Sequence, residues 1–210
     1  MFRIPLSEAT NFRVLYRVEL RKFGKRKRFS TGDVEKLLYI FHKICTVKRE
    51  KVMTRDQFVN MLTLLVKPNV HFLHYRTLEV LCGGIKMFVG PEVWMKTMEI
   101  FFSSNFAEKM EFCFGIYDVF GEGFIRRDYM MRFLGDCFIS GSVQEREEAR
   151  KDLIYVVLRT FRSQARHKLS LKEYKKGVTR IPLLLQFLGP CLPDVTKEQF
   201  FDLLLQKKII

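Results

Sequence analysis

Paired cysteines, long apolar runs and negative charge are all scarce in this sequence, and each shortage removes a class of protein. No Cys-x-x-Cys pair occurs: Cys45, Cys82, Cys113, Cys137 and Cys191 stand apart, an odd set that fits reduced thiols better than a disulfide framework and predicts an intracellular chain. The longest conspicuous uncharged stretch, Ile181 to Pro193, is too short to span a bilayer and is broken by Pro and Gly. The first residues lack the apolar core of a signal peptide, so neither membrane insertion nor export is expected. Asp and Glu number only 23 against 37 Lys and Arg, a net charge of +14, and a large partner should therefore be acidic. Tubulin surfaces, nucleic acid and anionic membranes qualify on charge.

Catalytic signatures are missing as well. The sequence contains no glycine loop shaped to cradle phosphate, no Ser or Cys in a recognised nucleophile elbow and no paired-carboxylate pattern, so no enzyme, no small-molecule substrate and no cofactor is expected. His71 and His74 lie one helical turn apart, but no Cys or carboxylate nearby completes a tetrahedral set, and they read as partly exposed helix residues.

What is present is helical period. In 210 residues, 48% of them hydrophobic, apolar positions recur at helical spacing with hardly any strict alternation, which gives an all-α fold of about ten short helices. Thr54 with Gln57, Asn105 with Glu108, and Thr196 with Gln199 match capping boxes and mark helix starts. Stripes follow at Phe12, Leu15, Tyr16 and Phe23; at Leu37, Leu38, Phe41, Ile44 and Cys45; and at Phe58, Met61, Leu62 and Leu65. Others run through Met110, Cys113, Phe114 and Tyr117, through Met130, Phe133, Leu134 and Cys137, and through Leu153, Val156, Val157 and Thr160. A polar break at Ser103 to Phe106 divides the chain into lobes 1–103 and 104–194, with a last helix at 195–210.

One segment carries more than period. Between two apolar helices, Asp118-Val-Phe-Gly-Glu-Gly-Phe-Ile-Arg-Arg-Asp-Tyr129 has the length and layout of an EF-hand loop: an acid at position one, Gly123 at six for the sharp turn, and apolar Ile125 at eight to pair with a sister loop. The ligands do not follow. Phe120 fills position three, Arg126 nine and Tyr129 twelve, and Glu122 at five is a longer substitute for the usual short acid. A guanidinium about 5 Å from a divalent ion costs about 6 kcal/mol at an effective dielectric of 20, so this loop should fold empty.

A second loop tail, Lys168-Leu-Ser-Leu-Lys-Glu173 before Tyr174, puts Leu169 at position eight and Glu173 at twelve, but Arg162, Gln164 and Arg166 where short oxygen ligands belong and His167 where Gly belongs. Upstream, a normal interval places another loop at Cys82 to Val93, holding Gly83 and Gly84 but also Lys86 and Met87. A further hand is located only by the helix after Thr54. The expected pairing is a short backbone ladder between Ile125 and Leu169, in a two-lobed EF-hand fold of the calmodulin or neuronal-calcium-sensor kind with degenerate loops, and no metal site is assigned.

These residues in order resemble the calaxin-like EF-hand proteins, subunits of the outer dynein arm docking complex of motile cilia. The likeness runs from near Asp33 to Asp194 and is carried by Trp94, Glu108-Lys109-Met110 with Cys113 and Phe114, Gly123-Phe-Ile125, Lys168-Leu-Ser170 with Tyr174, and above all Leu183-Leu-Leu followed by Phe187-Leu-Gly-Pro-Cys-Leu-Pro-Asp194. It implies protein partners (docking-complex coiled coils, dynein, tubulin), a place in the cytoplasm, cytoskeleton and axoneme, and descent from a calcium sensor. With Phe120, Arg126, Tyr129, Arg162 and Arg166 at ligand positions, the metal sites are not carried over.

The expected role is a calcium-independent adaptor of an axonemal assembly. The alternatives are a calcium-responsive EF-hand sensor of dynein, and a basic helical binder of nucleic acid or anionic surfaces. Two surfaces are candidates for partners. One is the basic run Arg21, Lys22, Lys25, Arg26, Lys27 and Arg28, at a helix end and in the loop after it. The other is a hydrophobic groove lined by Phe101, Phe102, Phe106, Phe112, Phe200 and Phe201, drawn from 21 Phe in all, with the helix after Thr196 as the alternative occupant.

Overall fold

A computed structural model describes residues 4–45, 49–66, 71–135, 140–165 and 167–206. In chain order these form α1 (Leu6–Leu15), α2 (Arg17–Gly24), α3 (Thr31–Ile44), β1 (Met53–Thr54), α4 (Arg55–Leu65), α5 (His71–Cys82), β2 (Phe88–Val89) and α6 (Pro91–Phe101). Then come α7 (Phe106–Tyr117), β3 (Phe124–Arg126), α8 (Arg127–Phe133), α9 (Val143–Thr160), β4 (Lys168–Ser170), α10 (Leu171–Arg180), a 3₁₀ turn (Pro182–Gln186) and α11 (Lys197–Gln206). The fold is helical with strands only two or three residues long, arranged as helix-loop-helix units whose loops pair. β1 runs antiparallel to β2 with Met53 opposite Val89, and β3 antiparallel to β4 with Ile125 opposite Leu169.

The chain forms two compact units that interleave in sequence: Met1–Leu65, Leu81–Phe102 and Asp194–Ile210 in one, Val66–Val80 and Ser103–Pro193 in the other. The reading from sequence cut at 103 and 194 and left 195–210 apart. Helix periodicity registers where one helix ends, not which other helices its apolar face meets, and here the face of α11 is buried within the first unit.

Caps start the helices where the sequence placed them. The Thr54 amide donates to Gln57 Oε1 and the Gln57 amide to Thr54 Oγ1, at 2.9 and 3.2 Å; Thr196 and Gln199 exchange the same pair at 2.8 and 3.2 Å. Asn105 makes only half a box. Its Oδ1 accepts the amides of Ala107 and Glu108, while the Glu108 carboxylate takes the Ser103 hydroxyl at 2.6 Å. Two full boxes, Ser142 with Glu145 and Ser170 with Glu173, stand in the sequence as S-x-x-E and complete the set.

In the first unit the stripe of α3 buries Leu37, Leu38 and Phe41 around Trp94, whose indole N–H donates to the Leu37 carbonyl at 2.9 Å. Phe12, Tyr16 and Phe23 are buried as their spacing predicts, although the helix breaks at Tyr16 into α1 and α2. In the second unit Met110, Cys113, Phe114 and Tyr117 face inward together, with Met130, Phe133 and Leu134; Cys137 lies outside the described residues. The face of α9 differs from expectation. Ile154 and Leu158 are buried while Val156 is 56% exposed, because the face is set by the helices it meets, and period alone leaves its rotation free by a residue.

Described cysteines 45, 82, 113 and 191 are buried free thiols, and burial pushes Cys45 up to about 12, so they pack as small hydrophobes. His74 is also buried, its Nε2 at 3.1 Å from the Val66 carbonyl, which corrects its assignment to a partly exposed face; the side chain of His71 lies outside the described residues.

Candidate functional site

The loop between α7 and α8 is folded, and its own side chains hold it. Asp118 at position one accepts the amides of Glu122 and Gly123 at 3.1 and 2.7 Å, which closes the turn, and Gly123 takes the left-handed backbone (φ 81°) that position six requires. Both oxygens of Glu122 accept from Arg126, Nε at 2.9 Å and Nη2 at 2.6 Å. The acid read as a substitute ligand is thus committed to the guanidinium at position nine, in the bidentate geometry that arginine favours. Arg126 also lies over the Phe120 ring at 4.7 Å, and Phe120 meets Tyr129 edge to face at 5.1 Å. Positions three and twelve, where a calcium loop presents oxygens, hold one aromatic pair with a guanidinium on it.

The loop before α10 reaches the same end differently. Glu173 at position twelve accepts the Gln164 amide at 2.8 Å, the Ser170 amide at 2.9 Å and the Ser170 hydroxyl at 2.5 Å. Burial pushes this carboxyl up, but the donors outweigh it and leave the acid below its ordinary range. Both oxygens that would grip an ion are engaged by the chain's own donors. Arg162 stands at position one with φ 55°, and Arg166 lies outside the described residues.

Strand register locates the first hand, which the sequence placed only through its flanking helices. With Met53 at position eight, opposite Val89 at position eight of the Cys82 loop, position twelve is Gln57 and position one is Thr46, outside the described residues. Gln57 offers an amide where a carboxylate is needed. Besides the capping box, its Nε2 donates to the Ile44 carbonyl at 2.8 Å and ties the exit helix to the end of α3. Lys51 takes position six with φ 52°, and its ammonium pairs with Glu19 at 2.7 Å over the Tyr16 ring. Loop two has Cys82, Gly84, Lys86 and Val93 at ligand positions.

These donor sets do not fit calcium, which takes six to eight oxygens. Among the described residues no group of three or more His, Cys, Asp or Glu converges as a metal site. Asp118, Glu122, Gly123, Ile125 and Glu173 keep the architecture of the loops, and every carboxylate among them serves that architecture.

The basic run divides. Lys22 pairs with Glu92 at 2.6 Å, and Arg26 meets both Glu92 and Glu99 while stacking on Phe23 at 4.8 Å. These two are exposed like the rest of the run but are paired within the first unit: a charge run shows its sign in sequence, while the acids that neutralise it come from α6. Arg28 also has an interaction of its own. Arg21, Lys25 and Lys27 are exposed, and Arg21 and Lys25 line an open groove with Arg17 and Val18. Arg26→Glu should therefore cost about 1 kcal/mol or more of stability, through repulsion from Glu92 and Glu99, while Lys25→Glu should stay within about 0.5 kcal/mol. Urea denaturation of the two variants, with equal midpoints as the adverse result, checks this.

The phenylalanine groove is corrected as well. Phe101, Phe112, Phe200 and Phe201 are buried, Phe102 is half-buried against Phe200 at 5.3 Å, and Phe106 is 38% exposed. In the first unit α11 fills the groove itself. Phe200 and Leu204 are fully buried, Lys197 pairs with Asp33 at 2.7 Å, and Lys36 covers the Phe201 ring at 5.1 Å.

No family model matches the sequence. Among curated proteins, the chain is similar to Calaxin of Homo sapiens, 32% identical over 181 residues that cover 84% of this chain and 86% of that protein. Calaxin of Xenopus laevis is 27% identical over 173 residues, 80% of this chain and 83% of that protein. Calaxin of Danio rerio is 26% identical over 181 residues, 84% and 86% of the two.

Proposed function

The chain belongs to the calaxin family of EF-hand proteins, and within it we propose a calcium-independent structural adaptor of a ciliary or flagellar axonemal assembly, the outer dynein arm docking complex on doublet microtubules. The observation that carries this reading is the replacement of the ion inside the second unit. Arg126 neutralises Glu122 in one loop, and the amides of Gln164 and Ser170 occupy Glu173 in the other. Each loop is closed in one conformation by bonds that need no ligand, so an ion has no differential affinity with which to drive a switch. The hand becomes a fixed bracket. Its partners are the docking-complex coiled coils, dynein and tubulin, met through exposed charge, and it acts by contact rather than by catalysis.

Titration calorimetry with Ca²⁺, read beside the fluorescence of buried Trp94, tests the reading directly. The expected result is no binding tighter than the millimolar range and no change in emission. Micromolar binding with a shift in Trp94 emission would replace the adaptor with a calcium-responsive sensor. The cellular half of the proposal is tested separately: the protein should be present in purified axonemes and leave with the docking complex under salt extraction. Axonemes that lack it would end the assignment.

A further inference from the structure

In the second unit, the fully buried Ile125 and Leu169 hold β3 against β4, and Asp118, Glu122 and Glu173 of the two loops so joined are engaged by the chain's own donors. Asp118, only 7% exposed, spends its oxygens on the amides of Glu122 and Gly123, and Glu173 spends its own on Gln164 and Ser170. Beside the strands, toward α8 and α9, lies an open cleft of about 820 Å³ lined by Phe124, Arg126, Arg127, Asp128, Met131, Lys151, His167 and Lys168. Arg126 is paired with Glu122 and Lys151 with Glu147, both in exposed bridges of little net strength. Arg127 and His167 are exposed with no side-chain partner among the described residues, and Lys168 has only the face of Phe124, at 4.5 Å. Against Arg126, Arg127, Lys151 and Lys168 the lining holds one carboxylate, Asp128.

We propose that this cleft binds an acidic peptide segment of a partner protein, with carboxylates on Arg127, Lys168 and His167 and an apolar side chain on the floor of Phe124 and Met131. Extended acidic chain fits better than a compact phosphate. The cations are spread along the cleft, and the nearby backbone amide of Arg127 is already given to the His167 carbonyl at 2.9 Å, so no cradle of free N–H groups is formed there. The volume lies in the range of ligand sites, and the apolar floor gives the register that charge alone does not. An EF-hand loop pair is ordinarily a place for cations; with Asp118, Glu122 and Glu173 engaged by the chain's own donors, this one offers its surface to anions. The inference is independent of the adaptor reading, because it concerns charge on the surface of the loops and not the state of their interiors.

The test uses the full chain and a fluorescein-labelled octapeptide of glutamate with one central leucine, followed by anisotropy at low salt. The double variant Arg127→Gln with Lys168→Gln should weaken binding about tenfold, since two exposed cations each contribute about 1 kcal/mol or less. Arg49→Gln with Lys86→Gln, the same loss of exposed charge on the other unit, should change it less than twofold. An all-glutamate octapeptide should bind more weakly than the leucine peptide. In amide spectra of the unmodified chain, the shifted peaks should cluster at residues 124–131 and 167–168, a readout that does not depend on any variant folding. Equal weakening by both double variants would reduce the effect to net charge and overturn the proposal. So would shifts confined to other residues, or displacement of the peptide by equimolar inorganic pyrophosphate, which would make the cleft a phosphate site.

Discussion

Ile125→Asp should cost the second unit several kcal/mol, enough to lose its cooperative transition under conditions where the unaltered chain stays folded. Ile125 is fully buried at position eight of its loop, opposite the equally buried Leu169. Its backbone is already committed to the β3–β4 ladder, continued on either side by bonds from the Arg127 amide to the His167 carbonyl and from the Leu171 amide to the Gly123 carbonyl. An aspartate there finds no donor left for its oxygens and must either stay charged without water or take up a proton at high cost. Ile125→Val, which removes one methylene, should cost only about 0.5–1.5 kcal/mol. Circular dichroism in urea separates the two. If the aspartate variant matches the valine variant, the ladder contributes nothing, and the loops are held by their side-chain pairs alone.

The second large effect is expected at the other end of the chain, where Phe200→Ala should destabilise the first unit by about 3–5 kcal/mol. The Phe200 ring is fully buried, at 5.3 Å from Phe102 and 5.8 Å from Phe201, on the face of α11 that also buries Leu204. Removing the ring leaves a cavity lined by groups that cannot close over it. The amides of α11 should lose protection from hydrogen exchange, and the variant should bind a hydrophobic dye that the unaltered chain does not. Unchanged protection in α11 would show that the groove is filled by something other than this helix. A groove already occupied by the chain's own helix is not open to a helical partner.

The helical class, most of the caps and the inward faces of α3, α4 and α7 are written in local sequence, because period and capping chemistry act over one or two turns. The pairing of Ile125 with Leu169 was legible for a related reason: the EF-hand loop has a fixed length, so position eight can be counted. The shortage of oxygen ligands in the loops was equally legible, since it follows from which residues stand at ligand positions. What replaces the ion was not. That Arg126 folds back on Glu122, that Glu173 is consumed by Gln164 and Ser170, and that Lys22 and Arg26 are neutralised by α6 all depend on side chains finding one another across turns or across 66 or more residues of chain. Sequence determined that these groups exist and what charge they carry. Only the tertiary structure decided which of them are satisfied inside the protein and which are left facing a partner, because a charge is neutralised by whatever lies within a few ångströms of it, and that distance belongs to the fold.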